Sequence, residues 1–325
     1  MARILITAQI FAANPVDSAL QLLRDAGHEA IVATAASQYL ADDELRAQLP
    51  GISGIMASSE TYSRGIFEAF PELQAIARIG VGFDAIDLEA ARDHEVPVMI
   101  AAGSNHTTVA ESTVALMLAL ARELGTYFPT AAAGDWNRPS TTELRAKTIG
   151  LIGLGRVGRS VIRRLSGFEV NFVASEPFPD ADFLAEFDVD LVEPDDVFRH
   201  ADFLTLHTPL TDDTRNIVNT RSLDLMQPGC FIVNTARGGL VDEAALHAAL
   251  ESGHLAGAAL DVRTSEPPAS NDNLAAHPRV LATPHMAGLS QESMERMATI
   301  AAANVVAALH GDWNREMVVN GVYPE

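Results

Sequence analysis

The sequence is poor in cysteine, in positive charge and in long apolar runs. Its single cysteine, Cys230, excludes an intrachain disulfide and any metal site built from several cysteines. Lys plus Arg number 22 against 43 Asp plus Glu, a formal net charge of −21. So few cations argue against a nucleic-acid partner, whose binding rests on phosphate neutralisation, and against an anionic membrane surface. Lysine is almost missing: Lys147 is the only one. Together with abundant alanine this fits a GC-rich coding bias or an acidic surface adapted to high salt, and composition does not choose between them. The most apolar stretch, about 109–121, is shorter than the roughly 20 residues that a bilayer span needs. The opening Met1-Ala-Arg-Ile-Leu-Ile-Thr lacks the apolar core of a signal peptide, so a cytoplasmic location is expected.

What is present points to an α/β protein. A length of 325 residues suggests two domains, and 48% hydrophobic with 20% charged residues is ordinary globular composition. Short β-branched runs alternate with helical segments, the signature of βαβ units. The first series comprises 3–7, 30–33, 54–57, 75–79 and 98–101, with amphipathic helices predicted over 15–26 and 42–49. The second comprises 148–152, 170–175, 190–192, 203–207, 231–234, 258–262 and 280–283. Five and seven strands in succession predict two doubly wound parallel sheets. The junction falls near Gly103. Thr108-Val-Ala-Glu111 reads as a capping box opening a buried helix over about 109–124. The tail, about 291–310, is helical and is expected to return to the first sheet. The expected domains are 1–103 with 292–325, and 104–291.

Thr148-Ile-Gly-Leu-Ile-Gly153-Leu-Gly155-Arg-Val-Gly158 joins a buried strand to a helix through a G-x-G-x-x-G turn. Gly153 permits the tight turn, Gly155 lets backbone approach a pyrophosphate, and Gly158 allows close helix–strand contact. The N–H groups at the helix start receive the phosphates. The next strand ends in Glu176, where an acid accepts hydrogen bonds from the ribose hydroxyls. A carboxylate there repels a 2′-phosphate, and Pro177-Phe178-Pro179 supplies no Arg to hold one. NAD is favoured over NADP.

Three later segments each follow a strand, and in an open parallel sheet strand C-termini line the ligand crevice. Arg237 in Asn234-Thr-Ala-Arg-Gly-Gly follows an apolar strand, and its guanidinium fork suits a carboxylate. His285 ends a strand between Pro284 and a turn of small residues, a place for an acid/base. A nearby Glu266 carboxylate would stabilise its imidazolium. No metal is expected: no His/Asp/Glu cluster has ligand spacing, and hydride transfer to nicotinamide requires none.

With these segments in view, the chain resembles the D-isomer-specific 2-hydroxyacid dehydrogenases, particularly their phosphoglycerate dehydrogenase and hydroxypyruvate reductase branches. The likeness runs from about Gly54 to Gly311. It rests on Ile79-Gly-Val-Gly-Phe-Asp84, Val109-Ala-Glu-Ser-Thr-Val-Ala-Leu-Met-Leu, the glycine fingerprint, Leu206-His-Thr-Pro-Leu-Thr211, Asn234-Thr-Ala-Arg-Gly-Gly, Asp261-Val-x-x-x-Glu-Pro and Thr283-Pro-His. It implies a Rossmann cofactor domain and a flavodoxin-like substrate domain, and a homodimer formed through the cofactor domain. Arg237 would clamp the substrate carboxylate, His285 would act as acid/base, and Glu266 would pair with it. Backbone N–H groups of Val81 and Gly82, together with Ser58, would help bind substrate. Around the cofactor the resemblance implies Arg156 and Val157 after the glycines, and Thr208 and Pro209 near the adenosine. Thr235 and Ala236 would line its cleft, with Asp261 by the carboxamide and Ala287-Gly288 beyond. Arg237 and His285 would also border it.

The departures concern substrate. Phosphoglycerate enzymes carry Val-Arg-Ser after the third strand, where the Arg meets the phosphate. Here Met56-Ala57-Ser58-Ser59-Glu60 puts Ala57 in place of that Arg and adds an acid. Arg78 and His106 are the cations left to compensate, unless they are structural. Arg263 stands where an aromatic often follows Asp-Val, altering a pocket wall or a domain contact. No serine-sensing domain is expected after the tail helix. The expected function is therefore an NAD-dependent oxidoreductase for a small, unphosphorylated 2-keto or D-2-hydroxy acid, such as hydroxypyruvate or glyoxylate. The alternatives are D-3-phosphoglycerate dehydrogenase without a regulatory domain, and an NAD(H)-sensing binding protein like the corepressors of this fold.

Overall fold

A computed structural model describes the chain except residues 9–10, 12–14, 36–39, 139 and 324–325. The chain divides into two compact units, Met1–Asn105 with Leu289–Glu325, and His106–Gly288.

The first unit carries β1 (Arg3–Ile6), β2 (Glu29–Val32), β3 (Gly54–Ala57), β4 (Ala75–Arg78) and β5 (Val98–Met99). They form one parallel sheet in the order β2-β1-β3-β4-β5. This is the flavodoxin-like order, with its switch point between β1 and β3. Side chains alternate between two apolar layers. Ile4 and Ile6 face one with Met56 and Ala77, while Leu5 faces the other with Ile55 and Ile76. Both faces are covered, as a parallel sheet requires. Helix Gln291–Leu309 opens with a reciprocal cap, Ser293 N–H on Ser290 Oγ at 3.1 Å and Ser290 N–H on Ser293 Oγ at 2.8 Å. It returns to pack on helix Asp17–Asp25 and on β3 and β4.

The second unit carries β6 (Thr148–Ile152), β7 (Asn171–Ser175), β8 (Val189–Leu191), β9 (Phe203–Leu206), β10 (Cys230–Asn234), β11 (Leu255–Leu260) and β12 (Val280–Ala282). Their order, β12-β11-β10-β9-β6-β7-β8, is the Rossmann arrangement with a switch point between β6 and β9. In β9 and β10, Leu204, Leu206 and Ile232 face one apolar layer, and Phe203, Phe231 and Val233 the other. Cys230 is buried and donates to Ala201 O at 3.0 Å, and burial raises its thiol to about 11, so it packs rather than reacts.

Two local expectations fail. The helix predicted from a Thr108 cap to begin at about 109 starts three residues earlier, at His106, and stops at Ala121. Thr108 therefore stands inside the first turn, where it cannot cap. Glu111 turns instead to Arg164 Nη2, 2.9 Å away on the packed helix Arg156–Leu165. Glu123 adopts a left-handed backbone (φ 50°), which breaks the segment and starts a separate helix, Leu124–Ala132. The long helix also buries one face rather than its whole girth: Ala110, Thr113, Val114 and Met117 are buried, and Glu111 and Ala115 exposed. Among the described residues no helix is long and apolar enough to cross a membrane.

Candidate active site

The second unit brings its chemistry to the C-terminal ends of adjacent parallel strands. After β6, Gly153 has φ +98°, and a Cβ there would lie 2.6 Å from His207 O. A Cβ on Gly158 would lie 2.4 Å from Gly153 O. Both glycines are fixed by close backbone contact. Gly155, the N-cap of helix Arg156–Leu165, differs, since a Cβ there meets nothing within 4 Å. Its backbone is open to a ligand just where the first helical N–H groups of Arg156 and Val157 lie. Glu176, past the end of β7, accepts from Leu154 N–H at 2.7 Å and from Phe178 N–H at 3.1 Å. The acid is thus held against the glycine turn, with lone pairs left for further donors. The open cradle and the anchored acid fit a dinucleotide.

His207 and Thr208 flank the same turn, where β9 ends. His207 Nε2 lies 2.9 Å from Thr205 Oγ1, and burial pushes its pKa down to about 3. It is a neutral support for the turn. Thr208 N lies 2.9 Å from a Cβ built on Gly153, and exposed Pro209 follows.

Beyond β10, Asn234 is fully buried at the strand end. Its Oδ1 accepts from Ala236 N–H at 3.0 Å and its Nδ2 donates to Arg237 O at 2.8 Å. This one side chain shapes the turn that presents Arg237, which is half-buried and donates from Nη1 to Ala236 O at 2.6 Å. Thr235 is buried, its hydroxyl 2.9 Å from that of Thr113.

Beyond β11 and β12, Asp261 organises the turn that carries His285. It is 2% exposed and accepts from Thr283 Oγ1 at 2.6 Å, Met286 N–H at 2.8 Å and Ala287 N–H at 2.9 Å. His285 N–H donates to Asp261 O at 2.8 Å, and His285 itself has φ 52°. A left-handed histidine is uncommon and persists where surrounding bonds fix it. Its Nδ1 then meets Glu266 Oε2 at 2.6 Å, leaving Nε2 for a substrate on a half-exposed ring. Burial pushes the Glu266 carboxyl up, but it is outweighed. The His285 hydrogen bond, the Arg263 N–H at 2.8 Å and the charges of His285 and Arg237 hold it below the usual range. Ser112 Oγ donates to Ala287 O at 2.9 Å, and Gly288 follows in the same turn. The three strands β10, β11 and β12 are successive neighbours in the sheet. That adjacency brings together a guanidinium, a carboxylate and an imidazole separated by tens of residues in sequence.

The first unit holds Ser58, Arg78, Val81 and Gly82, and His106 belongs to the second. Glu60 is 7% exposed and accepts from Thr7 Oγ1 at 2.8 Å, Ser58 N–H at 3.0 Å and Tyr62 OH at 3.3 Å. These bonds tie the switch point of the first sheet, since Thr7 follows β1 and Ser58 follows β3. Arg78 donates from Nε to Gly82 O at 2.6 Å and from Nη1 to Ala57 O at 3.2 Å. It braces the turn that carries Val81. Sequence reading missed Asn234, whose signal was an amide closing an otherwise apolar strand. It also missed the setting of Arg263, whose guanidinium is buried against Glu243 and Asp272.

Residues 114–287 match the family model described as D-isomer specific 2-hydroxyacid dehydrogenase, NAD binding domain. The chain is 36% identical over 324 residues to D-3-phosphoglycerate dehydrogenase of Methanocaldococcus jannaschii, covering 98% of this chain and 60% of that one. It is 37% identical over 276 residues to (S)-sulfolactate dehydrogenase of Chromohalobacter salexigens, covering 83% and 89%. The crystal structure of the TT0316 protein of Thermus thermophilus superposes with a TM-score of 0.88 at 32% identity, covering 98% and 99%. The chain thus spans about three-fifths of the phosphoglycerate dehydrogenase it matches.

Proposed function

This chain belongs to the D-isomer specific 2-hydroxyacid dehydrogenase family, and from that premise we propose that it interconverts a small, unphosphorylated 2-keto acid and its D-2-hydroxy acid with NAD. The observation that carries the reading is the 2.6 Å contact between His285 Nδ1 and Glu266 Oε2, on turns adjoining that of Arg237. The glycine turn and Glu176 would hold NAD, which supplies or accepts the hydride. Arg237 binds the substrate carboxylate through its fork. In reduction, His285 gives the proton on Nε2 to the oxygen at C2. In oxidation it takes that proton back. Glu266 fixes the ring and stabilises the imidazolium.

The unphosphorylated class is supported by the first unit. Ala57 offers no cation, Arg78 is engaged by backbone carbonyls, and the buried acid Glu60 stands beside Ser58. A phosphoglycerate substrate is the second reading, favoured by the identity with enzymes of that name. The test is NADH oxidation at 340 nm with glyoxylate, hydroxypyruvate, pyruvate, 2-ketobutyrate and 3-phosphohydroxypyruvate, plus (S)-sulfolactate in the oxidative direction, each at low and high salt. Fastest turnover of an unphosphorylated acid is expected. Preference for the phosphorylated acid moves the assignment to the second reading, and silence with NADH still bound moves it to a sensor.

The same reading makes Glu176 the discriminator between cofactors. Wild-type enzyme is expected to prefer NADH over NADPH by kcat/KM, and Glu176→Ala to erode that preference about tenfold or more, since it removes a hydrogen-bonded charge. Equal use of both cofactors by the wild type contradicts this role.

We also assign a homodimer through the second unit. Helix Leu124–Ala132 has no charged and no buried residue, and Phe128 and Trp136 are 69% and 77% exposed. Exposed aromatics of this kind mark an interaction surface. Light scattering is expected to give twice the 34.7 kDa chain mass. A monomer at working concentration removes the assignment.

A further inference from the structure

Arg263 is 8% exposed, and its guanidinium makes three charge-assisted bonds. Nε lies 3.0 Å from Glu243 Oε1, while Nη2 lies 2.8 Å from Glu243 Oε2 and 2.9 Å from Asp272 Oδ2. Both partners are themselves anchored. Glu243 is the first residue of helix Glu243–Glu251 and also accepts from Thr264 N–H at 2.8 Å, and Asp272 Oδ1 accepts from Ala275 N–H at 2.7 Å. Nη1, by contrast, is buried without a hydrogen-bond partner. A guanidinium with an orphan donor is a costly way to fill space, since apolar side chains replace buried ion pairs with little or no loss of stability.

The backbone of the same residue touches both halves of the catalytic group. Arg263 N–H donates to Glu266 Oε1 at 2.8 Å, while Oε2 of that carboxylate holds His285. On the other side, a Cβ built on Gly238, next to Arg237, would lie 2.0 Å from Arg263 C and 2.1 Å from Arg263 O. The Arg263 backbone is thus wedged between the Arg237 turn on its carbonyl side and the Glu266 carboxylate on its N–H side, and its side chain bolts that backbone to a helix and to Asp272. We propose that Arg263 is a positioning residue that sets the orientation of Glu266, and through it the acid/base His285, relative to Arg237. The proposal rests on the function assigned above to His285.

The test compares Arg263→Lys, which keeps the charge and loses the bidentate fork, with Arg263→Met. Two readouts are taken: kcat and KM for keto-acid reduction, and the titration of the His285 ring followed by NMR in cofactor-free protein, assigned by its loss in His285→Ala. Glu266 is hydrogen-bonded to that ring, and Asp261 and Arg237 stand on the neighbouring strand-end turns. Removing a cation would by itself move the His285 midpoint up, whereas releasing Glu266 moves it down. Both variants are expected to lower kcat about tenfold with KM for NADH nearly unchanged, and to move the midpoint down by about half a pH unit. Arg263→Lys with kcat within about twofold of wild type and an unmoved midpoint overturns the proposal, whether or not Arg263→Met folds. If His285→Ala turns over normally, the proposed function falls, and the midpoint in Arg263→Lys still decides the positioning role.

Discussion

His285→Ala is expected to lower turnover at neutral pH by about 10²–10⁴-fold, the usual worth of a positioned general acid. NADH binding should survive, because the glycine turn and Glu176 are untouched. Keto reduction needs the imidazolium, so activity is present at low pH and is lost as pH rises. The Glu266 carboxyl is held below the usual range against the opposing pull of burial, and it lies on Nδ1 of His285, where its charge favours the imidazolium. Glu266→Gln removes that charge while keeping a hydrogen-bonding group, so the pH of half-maximal kcat/KM for reduction should move down. Turnover of His285→Ala within tenfold of wild type would falsify the acid/base role. An unshifted profile in Glu266→Gln would dissolve the pairing while leaving His285 in place.

Both sheets were readable from sequence because each strand is a short local run bounded by turn chemistry. Among the described residues the strands fall where the β-branched runs stand, displaced by a few residues at their ends. The glycine turn was readable for the same reason, since its constraints act between residues close in sequence. Glu266 and His285 were legible as features of strand ends, and the adjacency of β11 and β12 in a parallel sheet accounts for their meeting. What escaped was partner choice across long separations. Thr113 finds Thr235 at a distance of 122 residues, and Glu111 finds Arg164 at 53. No local pattern encodes such pairs, and the false capping box shows the cost: a Thr and a Glu spaced for reciprocal bonds were free to take other roles. Arg263 was legible as a departure, but its partners Glu243 and Asp272 and the bond from its N–H to Glu266 were not.

Gly238→Ala carries the second large effect. The added methyl would sit 2.0 Å from Arg263 C and 2.4 Å from Thr264 N, against the 3.5–4.0 Å at which nonbonded carbon atoms rest. Both contacts are backbone, so no side-chain rotation relieves them, and the two turns must part by roughly 1.5 Å. The Thr264 N–H is already committed to Glu243, and the Arg263 N–H to Glu266. Moving the backbone of 263–264 therefore strains the bonds to Glu243 and Glu266, and moving the glycine instead displaces Arg237. Either way the carboxylate clamp and the proton donor lose register, and about 1 Å of misplacement can cost roughly 100-fold. A drop of about 100-fold in kcat/KM is expected, with about 3 kcal/mol of lost stability, the upper range for overpacking. Thermal melting and active-site titration of the folded fraction separate the two effects. Gly167→Ala is the control, since a Cβ there meets nothing within 4 Å, and it should stay within about 0.5 kcal/mol of wild type. A folded Gly238→Ala enzyme with wild-type kcat/KM would show that the Arg237 turn and the Arg263 peptide move independently, and the register between clamp and proton donor would then have to come from the strands alone.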